Sequence, residues 1–174
     1  PKRCGHLQGK SVIKRGEMVG KIRAACDARL SKDTLIIART DAIAVEGFDS
    51  AVDRSDAYLA AGADILFIEA PQSIAEMEVI SNTFRDKVPL MANMVEGGES
   101  PSLNADQLNK MGFSLVIFPG GLVRALAKTC EDYFSNLIKE GSNKKFLNRM
   151  HDLSGLNEIL GTSNLLDKGK EYDQ

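Results

Sequence analysis

The sequence is short of cysteine, of long apolar runs and of excess charge, and each shortage excludes a class of protein. Its three cysteines, Cys4, Cys26 and Cys130, are odd in number, far apart and form no C-x-x-C. That argues against both a disulfide framework and a thiolate zinc site, and predicts reduced thiols. No apolar run approaches the roughly 20 residues that span a bilayer, and no basic segment followed by an apolar one opens the chain. The expectation is a cytoplasmic protein with no membrane partner. Lys and Arg number 22 against 24 Asp and Glu, a net charge of −2, with no basic stripe interleaved with aromatics. Nucleic acid is therefore excluded as a partner, whereas small acidic metabolites are not. What is present, 174 residues with 43% apolar and 26% charged side chains, suits a soluble domain able to bury a core.

Continuous apolar runs alternate with helical patterns. "TLIIA" from Thr34, "ILFIE" from Ile65, "VPLMAN" from Val88 and "SLVIF" from Ser114 lack every-other-residue polarity and predict strands buried on both faces. Between them, "GEMVGKIRAACDARL" places Met18, Ile22, Ala25 and Cys26 on one stripe, "SAVDRSDAYLAAGA" ends on Gly62, and "SIAEMEVISNTFR" and "NADQLNKMG" follow. "LVRALAKTCEDYFSNLIKEG" then predicts one long amphipathic helix stopped by Gly141, with Cys130 on its apolar stripe. Both Cys26 and Cys130 are expected in the core. The strand starts are spaced by 31, 23 and 26 residues, the length of a strand plus a crossover helix, so a mainly parallel α/β sheet is expected.

Four βα units do not close an eight-stranded barrel, which takes about 250 residues. They fit either an open doubly wound sheet or the second half of a barrel. Residues 1–141 would form that unit, and the helical tail 142–174 would pack on it or on a neighbouring subunit.

Parallel sheets carry their chemistry at the carboxyl ends of the strands. Here the first strand ends in Arg39, Thr40 and Asp41, the second in Glu69, the third in Asn93 followed by Glu96-Gly97-Gly98, and the fourth in Pro119-Gly120-Gly121 with Arg124 one turn on. Arginines at two exits suit planar recognition of carboxylates, and Glu69 and Asn93 suit a hydroxyl, a metal-bound water or a developing oxyanion.

These residues, with "PKRCGH" at the start, "IIARTDA" from Ile36, "GADILFIEAP" from Gly62, "MANMVEGGESP" from Met91 and "FPGG" from Phe118, stand in the order seen in the isocitrate lyase/phosphoenolpyruvate mutase superfamily, which the chain resembles over nearly its whole length. The resemblance implies an enzyme with a (β/α)8 TIM-type barrel, of which this sequence is the second half, cut just before a mobile catalytic loop. It implies Mg²⁺, with Mn²⁺ as an alternative, held by residues upstream of Pro1 and by none in this segment. It implies a homo-oligomer, a dimer of dimers assembled by helix exchange.

By the same resemblance Cys4 is the proton donor, in a catalytic loop with Lys2 and His6. The chemistry suits a thiol: cleaving C2–C3 of a 2-hydroxy acid leaves an enediolate that an acid must protonate, and neighbouring cations lower the thiol pKa and stabilise that charge. Arg39 would bind a carboxylate of the keto-acid product with Cys4 and Gly5 closing over it. Glu69, Asn93 and Arg124 would line the pocket for the leaving acid, and Asp41 would anchor Arg39.

Cys4 speaks against the phosphonomutase branch. Asn93-Met94-Val95 stands where methylisocitrate lyases show N-x-T, and "DLSG" from Asp152 lacks an arginine. The expected activity is therefore a carbon–carbon lyase acting on a di- or tricarboxylate, with a substituted malate ahead of methylisocitrate and an α-keto acid such as pyruvate as product. The alternatives are an oxaloacetate-hydrolase-type C–C hydrolase, although Gly120-Gly121 offers it no hydroxyl, and a non-catalytic half-barrel whose role is assembly.

Overall fold

A computed structural model describes residues 9–172. The elements run α1 (Arg15–Ala28), β1 (Ile37–Thr40), α2 (Ile43–Glu46), α3 (Phe48–Ala60), β2 (Ile65–Ile68), α4 (Ile74–Phe84), β3 (Met91–Asn93), α5 (Ala105–Met111), β4 (Leu115–Ile117), α6 (Gly121–Glu140), a 3₁₀ segment (Lys144–Arg149), α7 (Leu153–Ile159) and α8 (Thr162–Lys170). The expected alternation is present. The first strand, however, begins three residues after Thr34, and α2 has no counterpart in the sequence pattern because four residues carry no period.

All strand pairs are parallel. β1 pairs with β2 in the register Ile37↔Ile65 and Arg39↔Phe67, and β3 with β4 in the register Met91↔Leu115 and Asn93↔Ile117. A single bridge, Leu66↔Leu90, joins the two pairs, so the strands lie side by side in chain order. Strand side chains alternate between faces, and register therefore sorts them. Ala38, Leu66, Ile68, Leu90 and Ala92 form one face and share the main core with helix residues such as Tyr58, Met77, Ile80, Phe84 and Leu108. On the other face Ile65, Phe67 and Met91 make a second apolar cluster, with Ile117 against it.

Burial on both faces holds throughout only for β2. Ile37 and Leu115, on the second face of β1 and β4, are 44% and 39% exposed. Helix ends follow local chemistry: Ser73 caps α4 through the Glu76 N–H, and Asn104 and Gln107 form a capping box on α5.

The chain divides into two compact units, Pro1–Gly121 and Leu122–Gln174. The division falls ahead of the long helix, where the sequence reading put it after Gly141. In the second unit Phe146 is buried beneath Tyr133 and the Arg149 guanidinium, which lies 4.4 Å from its ring centre and 3.0 Å from Asp132. α6, α7 and α8 have no buried residue. The placement of Cys130 in the core is thereby corrected: it is exposed, because α6 buries none of its residues. Cys26 is partly buried against the main core, its thiol donating to the Gly62 carbonyl at 3.2 Å.

Candidate active site

The register that buries Ile65, Phe67 and Met91 also assembles the polar residues. Arg39 follows Ile37 by two, Glu69 follows Phe67 by two and Asn93 follows Met91 by two, so each extends the second face at the carboxyl end of its strand. Asp41 continues β1 past its last residue. The apolar cluster is thus the floor and the polar residues the rim.

At the rim, Arg39 donates from Nε and Nη2 to the two carboxylate oxygens of Asp41, each at 3.0 Å. Its Nη2 also stands 3.3 Å from Glu69, whose side chain is 1% exposed. The guanidinium lies 4.8 Å from the centre of the Phe67 ring, a cation–π contact that fixes its height above the floor. Asn93 donates from Nδ2 to the Glu69 carboxylate at 3.0 and 3.3 Å. That leaves Asn93 Oδ1, a buried acceptor with no hydrogen-bond partner among the described residues. Burying such an atom unpaired costs about 1–3 kcal/mol, the usual reason being a ligand or water that the protein expects there.

Three of the residues singled out in the sequence, Arg39, Glu69 and Asn93, are therefore brought together, with Asp41 as the anchor of Arg39. Arg124 lies on α6 in the second unit. Lys2, Cys4, Gly5 and His6 lie outside the described residues. Among the described residues no group of three His, Cys, Asp or Glu side chains is placed to hold a metal ion, so these residues do not fit a Mg²⁺ site by themselves.

Arg39, Thr40 and Asp41 also line a cavity of about 630 Å³ with Lys10, Met18, Arg54 and Tyr58. Arg54 is a site residue that sequence reasoning missed. It is 5% exposed on α3, gripped by both Glu46 oxygens at 2.7 Å, and its Nη1 is 3.3 Å from Tyr58 Oη. A signal was available: Ala51, Arg54, Ser55 and Tyr58 stand at i, i+3, i+4 and i+7, the buried face of that helix, and a charge there demands a partner.

Chiefly because Arg54 bonds to it, and then because Ser50 does, the Glu46 carboxyl is held down to about 2 against an ordinary 4.5. A carboxyl lowered in the folded state stabilises the fold above its unfolded value and loses that contribution as pH falls towards its folded one. A third of the Glu46 side chain remains in water, so solvent screening reduces the contribution to about 1 kcal/mol. Glu46→Gln is expected to lower stability by that amount above pH 4.5, with the curves of the two proteins converging between pH 4.5 and 2. Urea unfolding across that range measures it, and a constant difference would mean that Glu46 is not the titrating group.

The parallel sheet with its helices is an α/β fold that matches TIM-barrel structures of one superfamily. A family profile described as phosphoenolpyruvate phosphomutase matches residues 3–138. The chain is 43% identical over 161 residues to 2-methylisocitrate lyase of Aeropyrum pernix, covering 92% of this chain and 51% of that protein. It is 37% identical over 172 residues to 2,3-dimethylmalate lyase of Eubacterium barkeri, covering 99% and 59%. A crystal structure of oxaloacetate acetylhydrolase with the inhibitor 3,3-difluorooxalacetate superposes with a TM-score of 0.87 at 28% identity, over 99% of this chain and 58% of that one. The chain belongs to the isocitrate lyase/phosphoenolpyruvate mutase superfamily. It spans about half the length of the curated relatives it matches.

Proposed function

We propose that the protein carrying this chain is a Mg²⁺-dependent carbon–carbon lyase that cleaves a substituted malate to pyruvate and a carboxylic acid. The observation that carries the reading is the rim itself: a guanidinium, a fully buried carboxylate and an amide with an orphaned acceptor, gathered on one face at the carboxyl ends of three neighbouring strands. The guanidinium suits a carboxylate of the substrate. The orphaned Asn93 Oδ1 suits a hydrogen-bond donor on the ligand, its hydroxyl or a protonated acid oxygen.

In the reaction, the substrate hydroxyl passes its proton to a general base, which returns it to solvent, and its oxygen becomes the keto group. The C2–C3 electron pair leaves with the departing acid as an enediolate, and the Cys4 thiol delivers the proton that quenches it. Mg²⁺, whose ligands this reading puts upstream of Pro1, would supply Lewis acidity at the keto-acid oxygens. Strand order supports the second half of a barrel over a doubly wound sheet, since neighbours follow chain order without the reversal that marks a switch point. Exposed apolar residues such as Leu122, Leu126, Phe134, Ile138, Leu160 and Leu165 support assembly through the carboxyl-terminal helices.

Lyase and hydrolase differ in products. Incubating the full-length protein and Mg²⁺ with 2,3-dimethylmalate, 2-methylisocitrate and oxaloacetate, and coupling pyruvate to lactate dehydrogenase, is expected to show turnover on 2,3-dimethylmalate first. Turnover of methylisocitrate with a higher kcat/KM would reassign the substrate to a tricarboxylate. Oxalate and acetate from oxaloacetate, without pyruvate from either lyase substrate, would overturn the lyase reading.

A further inference from the structure

The pair that joins α2 and α3, Glu46 and the buried Arg54, has no part in the chemistry just described. A buried arginine–carboxylate pair is poor evidence of stability, because apolar side chains filling the same space are often as stable. What this pair does is hold one end of a turn. The Ala42 carbonyl accepts the N–H groups of Val45, Glu46 and Gly47 at 3.0, 2.7 and 3.2 Å, and Gly47 closes the turn at φ +95°. Residues 42–47 are thus tied together by backbone bonds, and Asp41 is the residue that leads into them. The Ala42 N–H donates to Thr40 Oγ1 at 3.2 Å, tying the piece to the strand end. Asp41 in turn sets the plane of the Arg39 guanidinium through its two bonds. The connection therefore runs from Arg54 through Glu46 and the turn to Asp41 and Arg39, and its two ends, Arg54 and the Arg39–Asp41 pair, line one cavity.

We propose that Glu46 and Arg54 are positioning residues for Arg39, holding its guanidinium in the orientation that binds a substrate carboxylate. The proposal rests on the reading of Arg39 as a carboxylate ligand and extends it by two residues that touch no substrate. A second buried-end pair supplies the control. Asp64 accepts from Arg29 Nη1 at 2.7 Å and from the Ile36 N–H at 2.8 Å, at the amino ends of the same two strands. It stabilises the same sheet but has no path to the rim.

The test uses the full-length protein with Glu46→Gln, Arg54→Met, Arg54→Lys and the control Asp64→Asn, measured by steady-state kinetics on 2,3-dimethylmalate and by a crystal structure of each variant. Misplacing a binding group by about 1 Å costs up to about 10²-fold. Glu46→Gln and Arg54→Met are expected to raise KM about tenfold with a smaller change in kcat, the mark of a lost binding orientation. Arg39 should turn away from Asp41 in both. Arg54→Lys, which keeps the charge, should recover part of the loss, and Asp64→Asn should leave KM within twofold. If Arg54→Met does not fold, Glu46→Gln, near-isosteric and a third exposed, carries the test.

KM within twofold in Glu46→Gln, with the Arg39–Asp41 distances still 3.0 Å, would overturn the proposal and make the pair structural. If the parent protein turns over none of the lyase substrates, the reading of the site fails instead. The crystal structures then decide the positioning alone: a displaced Arg39 upholds it and an unmoved one overturns it.

Discussion

Arg39→Met is expected to cost about 3 kcal/mol of folding stability, because it takes a cation from beside the buried Glu69 carboxylate. Glu69 is 1% exposed; Arg39 Nη2 stands 3.3 Å from it and Asn93 Nδ2 donates to the same carboxylate at 3.0 Å. Removing one partner of a buried ion pair costs about 3–5 kcal/mol, since the remaining charge has lost both its solvent and its counter-charge. The lower end applies because Arg39 itself is 31% exposed and water can partly replace it. The Glu69→Gln change added on top should recover most of the loss, which separates a stranded charge from lost packing against Phe67. Arg39→Lys keeps a positive charge near Glu69 and should fold almost normally, yet a point charge cannot reproduce the two-pronged bond to Asp41, so carboxylate binding should still fail. Urea unfolding of the full-length protein measures the first effect and titration with oxalate the second. Equal stability of Arg39→Met and the parent would mean that Glu69 is compensated elsewhere.

Cys4→Ser is expected to lower turnover by about 10² to 10⁴, the range for a lost acid–base group. Serine fits the same space and cannot release its proton as readily, so substrate binding should change little while kcat falls. Retained turnover within threefold would remove Cys4 from the mechanism. The two substitutions are also distinguishable from each other. Arg39 variants should weaken binding and Cys4 variants should not, because one group is assigned to holding the keto acid and the other to moving a proton.

The fold was legible where a period or a run was long enough to read. The unbroken run Ile65–Ile68 is a strand buried on both faces, and the Ala51–Tyr58 spacing is the buried face of a helix. The edge strands were less legible. Ile37 and Leu115 are as apolar as Ile65, yet they stand well exposed, because burial of an edge depends on what lies beside the strand and not on its own residues. Cys130 failed for the same reason: an amphipathic stripe announces that a face is apolar, without saying whether anything within the chain covers it.

For the site, the sequence by itself determined the residue types at the strand exits, Arg39, Glu69 and Asn93 among them. It did so because each follows an apolar run that reads as a strand, a relation that needs no knowledge of other strands. Only the tertiary structure decided that these three touch, that Asp41 takes the Arg39 fork, and that Glu46 and Arg54 brace the turn behind them. Those contacts depend on the register between parallel strands and on the approach of α3 to the strand end. Register and approach are set by the packing of side chains far apart in the chain, and no local pattern encodes that.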